Sequence, residues 1–311
     1  MPKVTTLDAP RFHNEEAARK HLEAMRWPHG PECPHCGGTE RNVALKGKSH
    51  RPGLYFCGDC RKQFTVTVGT VFERSKIPLH KWVLATHLLC ASKKGMSSHQ
   101  LHRMLGVTYK TAWFMTHRIR EAMTITPSGQ LGRGGKTVEA DETYWGNQPG
   151  KRKRRGYEHK MKVLALVERD GDVRSFHVPA VNAKTLRPIL RQQIAAEAKL
   201  MTDEAGVYRP LGKDFASHGV VNHSAGVYAD GDLSTNTIES VFSLLKRGLV
   251  GTFHHVSEEH LQRYLHEFDF RYNNRKITDE ERSDHALRSI GGKRLTYKIP
   301  CKTEEKITSH V

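Results

Sequence analysis

Four cysteines stand in two close pairs, Cys33-Pro-His-Cys36 and Cys57-Gly-Asp-Cys60, with twenty residues between the pairs. Two residues between paired thiols let each pair close a tight knuckle. Two knuckles complete a tetrahedron, the arrangement of a structural zinc site with no position left open for catalysis. Gly37, Gly38 and Gly58 suit the knuckle turns, and His35, lying between ligands, is expected to point outward. Cys90, in an apolar helical stretch, and Cys301, near the end, read as plain thiols.

A second set of donors is acidic. Asp141 lies in the strand-like run Val138-Glu139-Ala140-Asp141, and Asp203 falls just past the end of another, Leu200-Met201-Thr202-Asp203. Glu239 sits at the edge of the apolar face of a later helix, with thirty-five residues between it and Asp203. Acids in a sheet that should be apolar need a reason. Three converging on one point would hold a hard divalent cation such as Mg²⁺, and two such ions serve phosphodiester chemistry by activating the attacking oxygen and stabilising the leaving one. Taken singly, each acid reads equally as a surface group or an ion-pair partner, and Glu142 and Glu204 are immediate neighbours able to fill either role. Lys246, two helical turns after Glu239, is set to touch a phosphate.

The elements that must position these residues read as follows. Asn14 to Arg26 is a short helix with an Asn cap and two Glu in its first turn. The cysteine pairs follow and run into the alternating stretch Phe64 to Phe72, expected to be a strand. Helical periodicity holds from Pro78 to Met123, and the glycine-rich run 126–136 is a linker. Beyond it, Thr137 to Trp145, Lys162 to Arg169 and Val173 to Val178 read as strands, followed by a helix over Thr185 to Ala198, a strand over Lys199 to Thr202, and a loop. Two helices close the order, Asn236 to Leu249 and Ser257 to Tyr272. The domains expected are a helical segment (1–32), a zinc ribbon (33–72), a helical DNA-binding domain (73–125), the linker (126–136), an α/β domain (137–275) and a C-terminal tail (276–311).

Charge narrows the function further. The 311 residues hold 50 Lys and Arg against 33 Asp and Glu, a net +17, so a polyanion is the default partner and nucleic acid the first choice. The excess gathers between Arg74 and Ala122 and in Lys151-Arg152-Lys153-Arg154-Arg155 through Lys162. Ser97 to Leu105, the turn Gly106-Val107-Thr108, and Tyr109 to Met123 give the outline of a helix-turn-helix, with Lys110, Arg118 and Arg120 as its DNA-facing cations. The longest nearly apolar stretch, Val83 to Ala91, falls short of the roughly 18 residues of a membrane span, and the N-terminus lacks signal-peptide order. A reducing cytoplasm, with nucleoid association, is the expected location.

These residues resemble those of bacterial insertion-sequence DDE transposases, specifically the ISXO2-like group that joins a zinc ribbon and a helix-turn-helix to a ribonuclease H-like catalytic domain. The resemblance runs from about Phe12 to Arg275 and is most specific in CPHCGG, GTVFERSKIPLHKW, VEADETYWG, LMTDEAGVY, TNTIESVFSLLKRG and HLQRYLHEFDFRYNNR. It implies a multidomain chain with a small β ribbon, an α DNA-binding domain and an α/β catalytic domain. It also implies Asp141, Asp203 and Glu239 as catalytic ligands of two Mg²⁺ ions, and Cys33, Cys36, Cys57 and Cys60 as ligands of zinc. The partners implied are double-stranded DNA, both element terminal repeats and target, bound by Lys110, Arg118, Arg120, Lys151 to Arg155 and Lys246, with a homodimer or larger assembly on DNA and no membrane. Ser234 departs from the pattern, since many members carry His there. Of the signature that other transposase groups place around the Glu, this chain matches only Lys246, with Asp232 and Thr235 at the earlier positions. The activity implied is metal-dependent DNA cleavage and strand transfer. The competing readings are a DNA-binding regulator without chemistry and a metal-dependent nuclease that never joins strands.

Overall fold

The computed structural model describes residues 6–124, 127–152, 156–221, 229–230 and 233–296. Helix α1 (Glu15–Arg26) starts where the Asn14 side chain accepts from the Ala17 N–H at 2.9 Å, as a capping Asn should. The ribbon is a three-stranded antiparallel sheet, β1 (Asn42–Ala44), β2 (Tyr55–Cys57) and β3 (Gln63–Phe64). The strand expected over Phe64 to Phe72 ends at its first residue. Gly69 adopts φ 70°, and the N–H and hydroxyl of Thr70 both turn back to the Thr67 carbonyl. The alternation there comes from Val66, Val71 and Phe72 packing into a helical core rather than from a strand.

That core is built by α1, α2 (Leu79–Ala91), α3 (Ser98–Leu105) and α4 (Tyr109–Ala122). The side chains of Ser97 and Thr108 cap α3 and α4, and Gly106 between them takes the left-handed conformation that ends α3. One member was not expected. In place of the tail expected over 276–311, Asp279–Arg288 form α9 (by the numbering below), which returns to this core and buries Ala286, Leu287 and Ile290 in it. Arg282 donates to the Cys90 carbonyl at 2.8 Å, and His21 pairs with Asp284 at 3.0 Å.

The second half is a five-stranded sheet in the order β6-β5-β4-β7-β8, comprising β4 (Thr137–Trp145), β5 (Met161–Glu168), β6 (Val173–Val178), β7 (Lys199–Asp203) and β8 (Ser217–Val221). The first three form an antiparallel meander, and β7 and β8 run parallel to β4. Strand β8 lies in the stretch read as loop. Helices α5 (Ala183–Gln193) and α6 (Tyr208–Gly212) cover one face. The other face carries α7 (Asn236–Gly248) and α8 (Glu258–Asn273), the last helix before α9. Strand β5 is buried on both sides, Met161, Val163, Ala165 and Val167 toward α7 and α8, Leu164 and Leu166 toward α5, so it reads as a continuous apolar run.

The two halves share a buried ionic joint. Arg120 on α4, 1% exposed, donates through Nε to Glu267 Oε2 on α8 at 2.6 Å, and Arg271 pairs with the other Glu267 oxygen. The Arg120 guanidinium also lies 3.9 Å from the centre of the Tyr264 ring.

Candidate functional site

Two knuckles bring the four ribbon thiols together. In each, the residue after the second cysteine takes a left-handed backbone, Gly37 at φ 75° and Arg61 at φ 57°. The sequence offered a glycine for the first and none for the second. All four sulfurs lie within 4.8 Å of one another, with Cys33 to Cys60 at 3.6 Å and Cys36 to Cys57 at 3.7 Å. A tetrahedron with zinc–sulfur bonds of about 2.3 Å has edges of about 3.8 Å, so the thiols fit a zinc ribbon. His35 is exposed, as expected.

The acids are sorted by sheet register. Side chains alternate along a strand, and directly paired residues share a face. Glu139, Asp141 and Thr143 pair with Val167, Ala165 and Val163, which face α7 and α8. Glu139 also pairs with Met201 in the parallel ladder, so Asp203, two residues on, shares that face. Glu142 goes to the opposite face, where the buried Tyr208 hydroxyl donates to its Oε2 at 2.6 Å. Helix α7 lies over the first face with Ile238, Val241, Phe242 and Leu245 packed down, leaving Glu239 on its exposed side. An open cleft of about 440 Å³ adjoins it, with walls that include Asp141, Glu142, Glu239, Lys246 and Arg247.

Asp141 feels the acids around it. Burial first, then the neighbouring carboxylates of Glu142, Asp203 and Glu239, push Asp141 up to about 7, against a single opposing bond from the Glu142 N–H. Asp141 has no ion-pair partner among the described residues. Its face offers hard oxygen donors and a like-charge conflict that a divalent cation would relieve. The carboxylates do not share the close spacing of the thiols, which alone among the described residues bring three or more metal-binding atoms within 4.8 Å. Asp203 is outside the cleft walls, and one of its oxygens accepts from the Ala205 N–H at 3.0 Å.

Of the expected DNA-facing cations, Lys110, Lys151, Arg152 and Lys246 are exposed. Lys153, Arg154, Arg155, Cys301 and Asp232 lie outside the described residues. Arg118 and Arg120 are corrections. Arg120 is spent on Glu267 as described, and Arg118, 6% exposed, donates to the Glu73 carbonyl and lies between Trp82 and Phe114. Sequence polarity put both on the recognition surface, but their buried partners pull them inward. Arg74 and Lys76 join Lys110 around a 350 Å³ groove at the start of α4. Ser234, the departure from the family pattern, has its hydroxyl and carbonyl both held by Arg169.

Comparison with known proteins agrees along most of the chain. Residues 133–273 match the ISXO2-like transposase domain, and residues 13–63 match the transposase zinc-ribbon domain. A protein of Halobacterium salinarum described as an uncharacterized protein in transposable element ISH50 is 31% identical over 277 residues, 84% of this chain and 91% of that one. An uncharacterized transposase-like protein of Haemophilus influenzae is 32% identical over 103 residues, 33% of this chain and 82% of its own. Among solved structures, a pre-cleavage Mos1 transpososome aligns with 62% of this chain and 77% of its own at 13% identity, with a TM-score of 0.21, too low to bear on the fold. With both domain matches in chain order around the geometry above and a relative spanning most of its length, this chain belongs to the ISXO2-like transposase family.

Proposed function

We propose that this transposase cuts DNA at the ends of its element and joins the freed 3′ hydroxyl to target DNA, using Asp141, Asp203 and Glu239 to hold Mg²⁺. The observation that carries the reading is the shared sheet face of Asp141 and Asp203 beneath the helix that bears Glu239. The strand order, a meander followed by two strands parallel to its first, supports a ribonuclease H-like domain. Bound there, the metal supplies Lewis acidity at the scissile phosphate. The chain's own residues orient what it acts on: Lys246 and Arg247 on the cleft wall neutralise phosphate charge, and the buried sheet face fixes the carboxylates before substrate arrives.

The four ribbon thiols hold zinc in this reading. Helices α3 and α4 act as a helix-turn-helix, with Lys110 reading bases while Arg74, Lys76, Lys151 and Arg152 grip backbone phosphates. A dimer or larger assembly on paired element ends follows from the need to process two ends together.

The test is to make Asp141→Asn, Asp203→Asn and Glu239→Gln and to follow Mg²⁺-dependent nicking of a duplex carrying the inverted repeat that flanks the gene. Nicking should fall by at least about a thousandfold in each, since metal ligation carries most of the transition-state charge. Duplex binding should persist, and stability without metal should equal or slightly exceed the parent, because a crowded like charge is gone. Nicking near the parent rate in any of the three would remove that residue from the site. If Glu204→Gln lost nicking while Glu239→Gln kept it, the third ligand would be reassigned to the residue beside Asp203.

A further inference from the structure

Glu139 is fully buried on β4, two residues before Asp141, and its oxygens are all committed. Oε1 accepts from Arg169 Nε at 2.9 Å and from the Thr237 hydroxyl at 3.0 Å, and Oε2 accepts from the Ile238 N–H at 2.9 Å. Arg169 donates onward to the Ser234 carbonyl at 2.8 Å and its hydroxyl at 3.0 Å.

Helix α7 begins at Asn236, and the side chain of its cap residue, Thr235, makes no capping bond. The Ile238 N–H, third in the helix, is a group that a cap side chain ordinarily satisfies. Here a carboxylate from the sheet does so, bringing negative charge to the positive end of the helix. Thr235, relieved of capping, points its hydroxyl toward Glu239 Oε1 at 3.4 Å. A bond to Ile238 sets both the height and the rotation of the first turn of α7 on β4, and Glu239 is the next residue.

We propose that Glu139, with Arg169 as its counter-charge, is a positioning residue that fixes Glu239 over Asp141 and so sets the affinity of the site for divalent metal. The inference rests on the proposed reading of Glu239 as a metal ligand. Residues that hold metal ligands from behind change metal affinity by about 10–100-fold when altered. Glu139→Gln keeps the shape but loses the charge and one acceptor, and Thr237→Val deletes only the hydroxyl that reaches Glu139.

The measurement is calorimetric titration of Mn²⁺ into the zinc-loaded full-length protein, with Glu239→Gln as control and element-end binding and zinc content measured alongside. Glu139→Gln should weaken Mn²⁺ binding by about tenfold or more and Thr237→Val by about threefold, with zinc content and duplex affinity unchanged. If Glu139→Gln does not fold, Thr237→Val decides. Parent-like Mn²⁺ binding in the folded variants, with Glu239→Gln deficient, overturns the positioning role and leaves the site standing. Parent-like binding in Glu239→Gln overturns the reading of the site, and the positioning role with it.

Discussion

The ribbon thiols and the sheet carboxylates both gather like donors around a point, but over very different lengths of chain. Cys33 to Cys36 and Cys57 to Cys60 are paired by short knuckles that local backbone makes, through bonds such as Gly37 N–H to the Cys33 carbonyl at 2.8 Å. The sulfurs reach tetrahedral spacing with little of the rest of the fold. Asp141, Asp203 and Glu239 come from β4, β7 and α7, and the sheet core holds their backbones while their side chains stay apart. Closed local sites belong to folding, because metal affinity there is folding free energy. Open sites assembled by a separate core belong to chemistry, since the core leaves a coordination position free for substrate. On the proposed reading, zinc removal should therefore cost the ribbon its structure, and withholding Mg²⁺ should cost the sheet domain almost nothing.

The largest expected effect is on the ribbon. Freshly prepared, reduced protein should contain about one zinc per chain, and chelation or Cys57→Ser should unfold β1 to β3, because structural zinc contributes on the order of 10 kcal/mol. The sheet domain, which shares no ligand with it, should keep its cooperative unfolding. Protein free of zinc that retains a folded ribbon by amide exchange would erase the contrast.

A smaller effect separates the sheet acids from an acid whose counter-charge is built in. Burial alone would raise Glu267, but Arg120 and Arg271 outweigh it and hold its carboxyl below the ordinary range. Glu267→Gln should cost about 3–5 kcal/mol in urea unfolding, because it leaves two buried guanidinium groups without their partner. The joint version Arg120→Met, Glu267→Leu, Arg271→Met should recover much of that loss. Equal destabilisation by the single and triple changes would mean that packing, rather than charge, sets the cost.

These differences also explain what the sequence disclosed. The zinc spacing is local and was legible residue by residue, as were α1, β4 and β6, whose ends fall within a residue of expectation. The choice between Asp141 and Glu142 was not, because it depends on pairing with β5, and a one-residue slip would exchange the two faces. Arg120 misled because its partner lies 147 residues away, and a cation reads as exposed until that partner is known. Helix α9 carries a local signal in the sequence: Thr278-Asp-Glu-Glu281 is a capping box, with the Thr278 side chain taking the Glu281 N–H and Glu281 returning to the Thr278 N–H. Glu139 gave no signal beyond being an acid in a strand, since what it caps lies about a hundred residues further along the chain.

The smallest effect concerns an acid with neither metal nor cation. Asp269 on α8 is buried, and its oxygens accept from the Ser175 N–H and hydroxyl, each at 2.7 Å. Burial pushes it up to about 7, and the two Ser175 bonds pull only part of the way back. Between about pH 4 and 7 the unfolded chain therefore releases this proton while the folded chain keeps it, so stability falls as pH rises, by at most about 1.4 kcal/mol per unit. Below pH 4 both states hold the proton and its contribution is fully present. Asp269→Asn keeps both bonds to Ser175, since the amide oxygen accepts from the N–H and the amide nitrogen donates to the hydroxyl. Thermal unfolding of the variant should match the parent near pH 4 and exceed it progressively toward pH 7. The difference between the two curves isolates this one group, because every other titrating residue is common to both. Parallel curves across that range would mean that Asp269 is already ionised in the folded chain and that Ser175 alone is enough to hold a buried charge.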